Sequence, residues 1–233
     1  QRQVLHAQFD KRKKGGRSTY EISYRDSAGV AHQLLITATP RFDPTGKFVG
    51  SFAVIRDITD RKIVEEDLRY RSTHDALTGL HNRFFFDEEL SRLEENHRRP
   101  ISMLMLDVDG LKRINDTHGH FTGDEALRRV ARLVRACLRG EDLVARLGGD
   151  EIAVLLPNTR PAERDRIIAR MNRRLSQSNQ QNPGLQLALS IGSATALPGE
   201  SLRKALEEAD QRLYEEKRRK KEAAANAADD PKK

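Results

Sequence analysis

The period of the hydrophobic pattern changes along this chain, and the change divides it. Up to about residue 58, apolar positions alternate with polar ones: Tyr20, Ile22 and Tyr24 in STYEISYRD, then the runs VAHQLLITATP and FVGSFAVIRDI. A period of two marks half-buried strands. DSAG and DPTGK between the runs are hairpin punctuation. The pattern predicts a three-stranded antiparallel meander without a clear packing helix, a thin core for about 60 residues. From Asp60 to Tyr70 charges surround a seam of Ile63 or Val64 with Leu68, a polar helix of the kind that pairs with its own copy.

Beyond Asp75 strands and helices alternate. NRFFFDEELSRLEEN reads as a helix capped by Asn82, and ISMLMLDVD, 101 to 109, as a buried strand. DEALRRVARLVRACL carries a stripe of Leu127, Val130, Val134 and Cys137. LVARL and EIAVLLP are strands joined by Gly148, Gly149 and Asp150, a hairpin composition. A helix with Ile167, Ile168, Met171 and Leu175 follows, then a strand alternating Leu185, Leu187, Leu189 and Ile191. The last helix has Leu202, Ala205, Leu206, Ala209 and Leu213 on one side. The order βαββαβ predicts an α/β sandwich. EAAANAADDPKK lacks apolar bulk, so disorder is expected over 222–233.

Composition narrows the class. With 233 residues, 37% apolar and 33% charged, the chain has room for one good domain and part of another. No run approaches the roughly 18 apolar residues of a membrane span, and QRQVLHAQFDKRKK is no signal peptide. A cytoplasmic setting without membrane contact in this chain is the default, with tethering of a longer parent left open. The single cysteine, Cys137, reads as a small core residue. A net charge of +7, concentrated in KRKK (11–14) and KRRKK (217–221), suits a polyanionic partner. Without aromatic interleaving or a groove-reading motif it does not argue for nucleic acid.

The candidate chemistry sits at strand ends. Asp107, Val108 and Asp109 close the buried strand, where α/β proteins commonly place ligands. A hairpin turn can lie alongside such an end, so Asp107 and Asp150 could share a divalent cation with the Val108 carbonyl, the hard-oxygen set Mg²⁺ prefers. DVDG or GGDE alone reads more readily as a mere turn; the two together are harder to dismiss. Lys112 follows closely enough to neutralise phosphate charge, and Gly119 and Gly123 permit close backbone approach. Asn115 and Asp124 are complementary to a guanine edge. His118 and His120 do not argue for zinc with one distant cysteine.

DALTGLHNR (75–83), LDVDGLKRINDTHGHFTGDEAL (106–127) and ARLGGDEI (145–152), in this order, resemble the GGDEF family of diguanylate cyclases over roughly Thr73 to Lys221. The resemblance implies a nucleotidyl cyclase, palm-like fold with a mostly antiparallel central sheet. It implies condensation of two GTP into cyclic di-GMP with release of pyrophosphate, by a homodimer in which each subunit holds one GTP. On this reading Asp107, the Val108 carbonyl and Asp150 bind Mg²⁺ or Mn²⁺, and Lys112 stabilises phosphate charge. Asn115 and Asp124 read guanine with His120 beside the nucleotide, Lys217 of LYEEK reaches the terminal phosphates, and Glu151 or Asp150 helps deprotonate the 3′-hydroxyl. RGED, with Arg139 and Asp142, matches the family's RxxD inhibitory site for product.

Departures are Ile152 for the signature phenylalanine, Leu111 and Gly110 before the lysine, and Lys220 and Lys221 where glycine and arginine are frequent. The alternative is a catalytically silent GGDEF domain that receives cyclic di-GMP or GTP. The segment 1–58 with DITDRK resembles the C-terminal half of a PAS sensor domain, implying a fragment of a longer sensor and no cofactor. His6 and His32 read as surface or strand residues. The expected organisation is a partial PAS-like segment (1–58), a signalling helix (59–74), the cyclase domain (75–221) and a tail.

Overall fold

The computed structural model describes residues 2–96 and 100–228. The chain forms two compact units, divided between Tyr70 and Arg71. In the first, β1 (Ser18–Arg25), β2 (Ala31–Phe42) and β3 (Phe48–Asp57) make an antiparallel sheet in that order. The alternating pattern of the sequence produces this meander, as expected. A helix that the sequence reading did not place, α1 (Arg2–Lys13), lies on it. Its charged run hid two packing contacts: Phe9 stacks edge-on against Phe48, and the buried Arg12 donates to the hydroxyls of Ser18 (2.9 Å) and Ser51 (3.1 Å). The helix α2 (Thr59–Thr73) begins at an Asp57 cap, whose carboxylate accepts the Thr59 N–H at 2.9 Å. Ile63, Val64 and Leu68 are exposed along it.

In the second unit a two-residue strand β4 (His81–Asn82), β5 (Ile101–Val108), β6 (Leu143–Gly148), β7 (Glu151–Pro157) and β8 (Leu189–Ala196) form one sheet in the order β4-β6-β7-β5-β8. Only β4 and β6 run parallel; the remaining pairs are antiparallel. The helices α3 (Arg83–Asn96), α4 (Leu111–His118), α5 (His120–Arg135), α6 (Pro161–Gln181) and α7 (Leu202–Ala228) complete the unit. β5 lies between β7 and β8 and all eight of its residues are buried, which is why it reads as a continuous apolar run rather than an alternating one. Its even positions, Leu104, Leu106 and Val108, pack with Val130, Val134 and Met171 of α5 and α6. Its odd positions, Met103 and Met105, pack with Phe86 of α3 and Leu202 and Leu213 of α7.

Local signals explain the element ends. Asn82 Oδ1 accepts the Phe85 N–H at 3.0 Å and caps α3. Cys137 is buried in the α5 side of the core. Two boundaries differ from expectation. β8 starts at Leu189, because Leu185 and Leu187 lie in a loop held by Asn179, which donates to the Leu187 carbonyl (2.8 Å) and accepts its N–H (3.0 Å). The tail is not disordered from residue 222: α7 continues to Ala228, since an alanine-rich stretch propagates a helix without needing apolar burial. Residues 229–233 lie outside the described ones.

Candidate active site

The alternation along β5 that buries Met103 and Met105 against α7 carries Asp107 to the same face, at 3% exposure. In the ladder Asp107 stands opposite Glu151 on one side and Ser190 on the other. The GGDE turn comes to the same strand end: the Val108 N–H donates to the Asp150 carbonyl at 3.1 Å. The turn needs its glycines for backbone conformation, with φ of 151° at Gly148 and 52° at Gly149. An added Cβ at either would meet nothing within 4 Å, so in this structure their reason is the positive φ, not close approach to another group.

α7 delivers the cations. Gly192 on β8 lets the helix backbone come so near that a Cβ there would lie 2.0 Å from the Ala209 carbonyl oxygen and 2.3 Å from the Leu213 nitrogen. One turn beyond Leu213, Lys217 Nζ donates to Asp107 Oδ2 at 2.7 Å. Burial pushes the Asp107 carboxyl up from its ordinary value, the Lys217 hydrogen bond opposes this, and the charges of Asp150 and Asp109 add to the rise. Burial works to lower the Lys217 ammonium, but the bond and attraction to Asp107 outweigh it and raise the group. Lys220 donates to Asp109 Oδ2 (2.8 Å) and the Leu189 carbonyl (2.7 Å), and the Ser190 hydroxyl donates to Asp109 Oδ1 (2.6 Å). Lys221 is exposed.

The opposite face supplies the polar corner. α4 and α5 meet at Gly119, and Gly123 packs so tightly on Asn115 that a Cβ would lie 1.8 Å from its Oδ1. That oxygen is buried and, among the described residues, accepts no hydrogen bond, an uncommon state for a buried acceptor. Asp124, next to Gly123, is partly exposed at the same corner, while Lys112 and His120 are exposed at the starts of α4 and α5. Ile152 and Leu111 are buried in the core, consistent with a packing role for both departures.

Sequence reasoning missed the brace behind the turn. Arg146 donates twice to the Gly149 carbonyl, at 2.7 and 3.1 Å, and its other arm meets both oxygens of Asp75 at 3.2 and 3.3 Å. Asp75 is itself fixed by the Thr78 N–H (2.8 Å) and hydroxyl (2.6 Å). Burial works to raise the Asp75 carboxyl, but Thr78 and Arg146 together hold it below its ordinary value. Both residues stand inside the DALTGL and ARLGGDE segments, so motif membership was the available signal. The Asp109–Lys220 pair had none, because its partners are 111 residues apart.

Away from this end, Arg139 and Asp142 line a pocket of about 250 Å³ with His81, Arg135, Leu138, Gly140 and Val144. The Asp142 carboxylate accepts the Arg139 N–H at 2.7 Å, and burial raises its carboxyl.

Asp107, Val108 and the Asp150 turn lie at one strand end beside Lys217, and carboxylate and carbonyl oxygens are the donors that could hold a hard divalent cation. Among the described residues no group of three or more His, Cys, Asp or Glu side chains is placed to hold a metal. The buried Asp107 carboxyl feels the charge of the partly exposed Asp150, and a cation between them would relieve that repulsion. Comparison with known proteins places the chain in a family. The family described as diguanylate cyclase, GGDEF domain, matches residues 72–223. The chain belongs to the GGDEF family.

Among curated relatives, the diguanylate cyclase DgcM of Escherichia coli is 37% identical over 70% of the chain, and the probable diguanylate cyclase DgcE of the same organism 38% identical over 56%. The chain spans 40% and 12% of their lengths. The crystal structure of the coiled coil and GGDEF domain of DgcB from Caulobacter crescentus, in complex with c-di-GMP, superposes with a TM-score of 0.60 at 29% identity, over 69% of this chain and 88% of that one. The GGDEF domain here is thus a mixed α/β unit with a mostly antiparallel sheet, as the resemblance implied. Among the described residues no helix is long and apolar enough to cross a membrane.

Proposed function

We propose that this protein is a homodimeric diguanylate cyclase that condenses two GTP into cyclic di-GMP and two pyrophosphates. Each 3′-oxygen bonds to the α-phosphorus of the other nucleotide, and the bond from that phosphorus to the β-phosphate bridging oxygen breaks. The observation that carries the reading is the meeting of buried Asp107 with the Asp150 turn and Lys217 at one strand end. Asp107, Asp150 and the Val108 carbonyl would hold Mg²⁺ or Mn²⁺, which when bound polarises the phosphoryl oxygens and offsets charge on the leaving pyrophosphate. Lys217 and Lys112 add cationic charge for the phosphates. Asn115 Oδ1, a buried acceptor awaiting a donor, and the Asp124 carboxylate suit the N–H groups of a guanine edge, with His120 beside the nucleotide. Glu151 or Asp150 takes the 3′-hydroxyl proton.

Two nucleotides that attack one another need two subunits face to face. The exposed Ile63, Val64 and Leu68 of α2 support pairing of the chain through that helix. The first unit, on this reading, is the closing part of a PAS-like sensor that acts through α2. The test is to incubate the purified chain with GTP and Mg²⁺: cyclic di-GMP and pyrophosphate are expected, whereas no product from a dimeric, GTP-binding preparation would leave only a silent receptor.

Product inhibition is assigned to the pocket of Arg139 and Asp142, where a guanidinium fork and a carboxylate suit phosphate and guanine. Arg139→Ala is expected to raise the product concentration giving half inhibition by about tenfold or more, the loss of one charge-assisted contact. An unchanged inhibition curve would make RGED a plain loop.

A further inference from the structure

A second groove, sharing no residue with the Arg139–Asp142 pocket, runs between α5 and α6. It has a volume of about 510 Å³ and is lined by Arg129, Arg132 and Arg174, with Gln177, Ser178, Gln181 and Asn182 on the α6 wall and Leu133 and Ala136 beneath. The spacing makes the groove: 129, 132, 133 and 136 fall on one face of α5, and 174, 177, 178 and 181 on one face of α6. No acidic side chain lines it.

Arg129 is the fixed element. Its guanidinium donates to Ser178 Oγ (2.7 Å), Asn179 Oδ1 (2.9 Å) and the Leu185 carbonyl (2.9 Å). All three acceptors are neutral, so the geometry is locked while the positive charge is left uncancelled. Burial alone lowers this guanidinium from its ordinary value, the signature of a desolvated cation that lacks a carboxylate. Arg146, by contrast, is paired with the carboxylate of Asp75. Here the net charge faces a concavity where two exposed arginines add to it.

We propose that this groove binds a phosphate-bearing small molecule of nucleotide size. Guanidinium forks match phosphate oxygens, and the amides of Gln177, Gln181 and Asn182 match hydroxyls or a base edge. The volume lies in the range of ordinary small-molecule pockets, and three arginines beside three side-chain amides in one depression suit a ligand that carries both phosphate and hydrogen-bonding groups better than a membrane surface or a nucleic-acid backbone, which call for an extended basic stripe.

The test is independent of the cyclase reading, because it uses neither metal nor GTP. The ¹⁵N-labelled chain is titrated with AMP, which a guanine-reading site has no claim on, and separately with pyrophosphate. Saturable shifts are expected in the amides of Gln177, Ser178 and Gln181 and in the Arg129 side chain. The double variant R132Q/R174Q changes exposed side chains only, so it should fold and unfold thermally like the parent while binding both probes at least tenfold more weakly. Shifts confined to Asp107–Asn115 and Lys217, failure to saturate, or equal binding by the variant would overturn the proposal. So would tighter binding to phosphatidylglycerol vesicles or a single-stranded oligonucleotide than to AMP, lost in the same variant, which would make the groove a docking surface for a macromolecule.

Discussion

The two faces of the GGDEF sheet place their functional groups through contacts of different stiffness. On one face α7 is seated on β8 backbone to backbone, at Gly192, and that seat sets where Lys217 and Lys220 meet Asp107 and Asp109. On the other, Gly123 of α5 is fitted to one side-chain atom, Asn115 Oδ1. The first contact positions a whole helix; the second positions a rotamer. A backbone cannot give way without moving the strand or the helix, whereas an amide can turn about its χ angles. The end proposed to hold phosphate is therefore built to be rigid and the corner proposed to read the base to be adjustable.

The comparison can be pressed from its stiff side first. Asp107→Asn keeps the shape of the phosphate end but removes the buried charge, and is expected to lower kcat by about a thousandfold, as loss of a cation ligand at a phosphoryl centre does. Burial already disfavours the charged carboxyl, so thermal unfolding should shift by only a few degrees. Gly192→Ala should reverse that profile. Its Cβ meets backbone at 2.0 Å, so the fold should lose about 3 kcal/mol in denaturant unfolding, the upper part of the overpacking range, and activity should fall along with it. A stable, active Gly192→Ala chain would show that α7 can shift freely and would break the distinction.

How much of this was legible depended on whether a group's partner was near it in sequence. β5 announced itself as a short apolar run, and the carboxylates Asp107 and Asp150 could be paired because a strand end and a hairpin turn are places a sheet brings together. α1 was obscured by charges, because Arg12 is buried on the hydroxyls of Ser18 and Ser51, partners that no hydrophobic period reveals. The helical continuation to Ala228 leaves no apolar signal, because alanine propensity extends a helix already seated by packing. Gly192 and the Asp109–Lys220 pair could not be read at all: their meaning exists only once α7 is laid across β8. The Asp75–Arg146 brace lay in plain view within two motifs, but spacing alone does not say that one holds the other.

The adjustable side is tested by Gly123→Ala. The Asn115 amide must turn away from a Cβ placed 1.8 Å from its oxygen, which should cost the fold little, about 1 kcal/mol. The expected loss is in nucleotide binding: KM for GTP up about tenfold with kcat kept, the pattern of an interaction made equally in ground and transition states. A fall in kcat at constant KM would instead make this corner part of the reacting end.

The smallest effect is expected where the two faces join, at the β6–β7 turn. Asp75→Asn leaves Thr78 a partner but weakens the hold on Arg146, and a partly exposed ion pair of this kind contributes about 1 kcal/mol. Because the folded Asp75 carboxyl lies below its ordinary value of 3.8, its contribution is fully present above that pH and is lost as pH falls through the folded value. Wild type and variant should therefore differ in urea midpoint at neutral pH and converge in acid. If the brace matters for catalysis, kcat should drop several-fold with KM unchanged, since Arg146 fixes the Gly149 carbonyl one residue before Asp150. A gap in stability that persists once acid has protonated Asp75 in the folded chain would mean that Asp75 acts through neutral hydrogen bonds to Thr78 and that the turn is held by its glycine backbone alone.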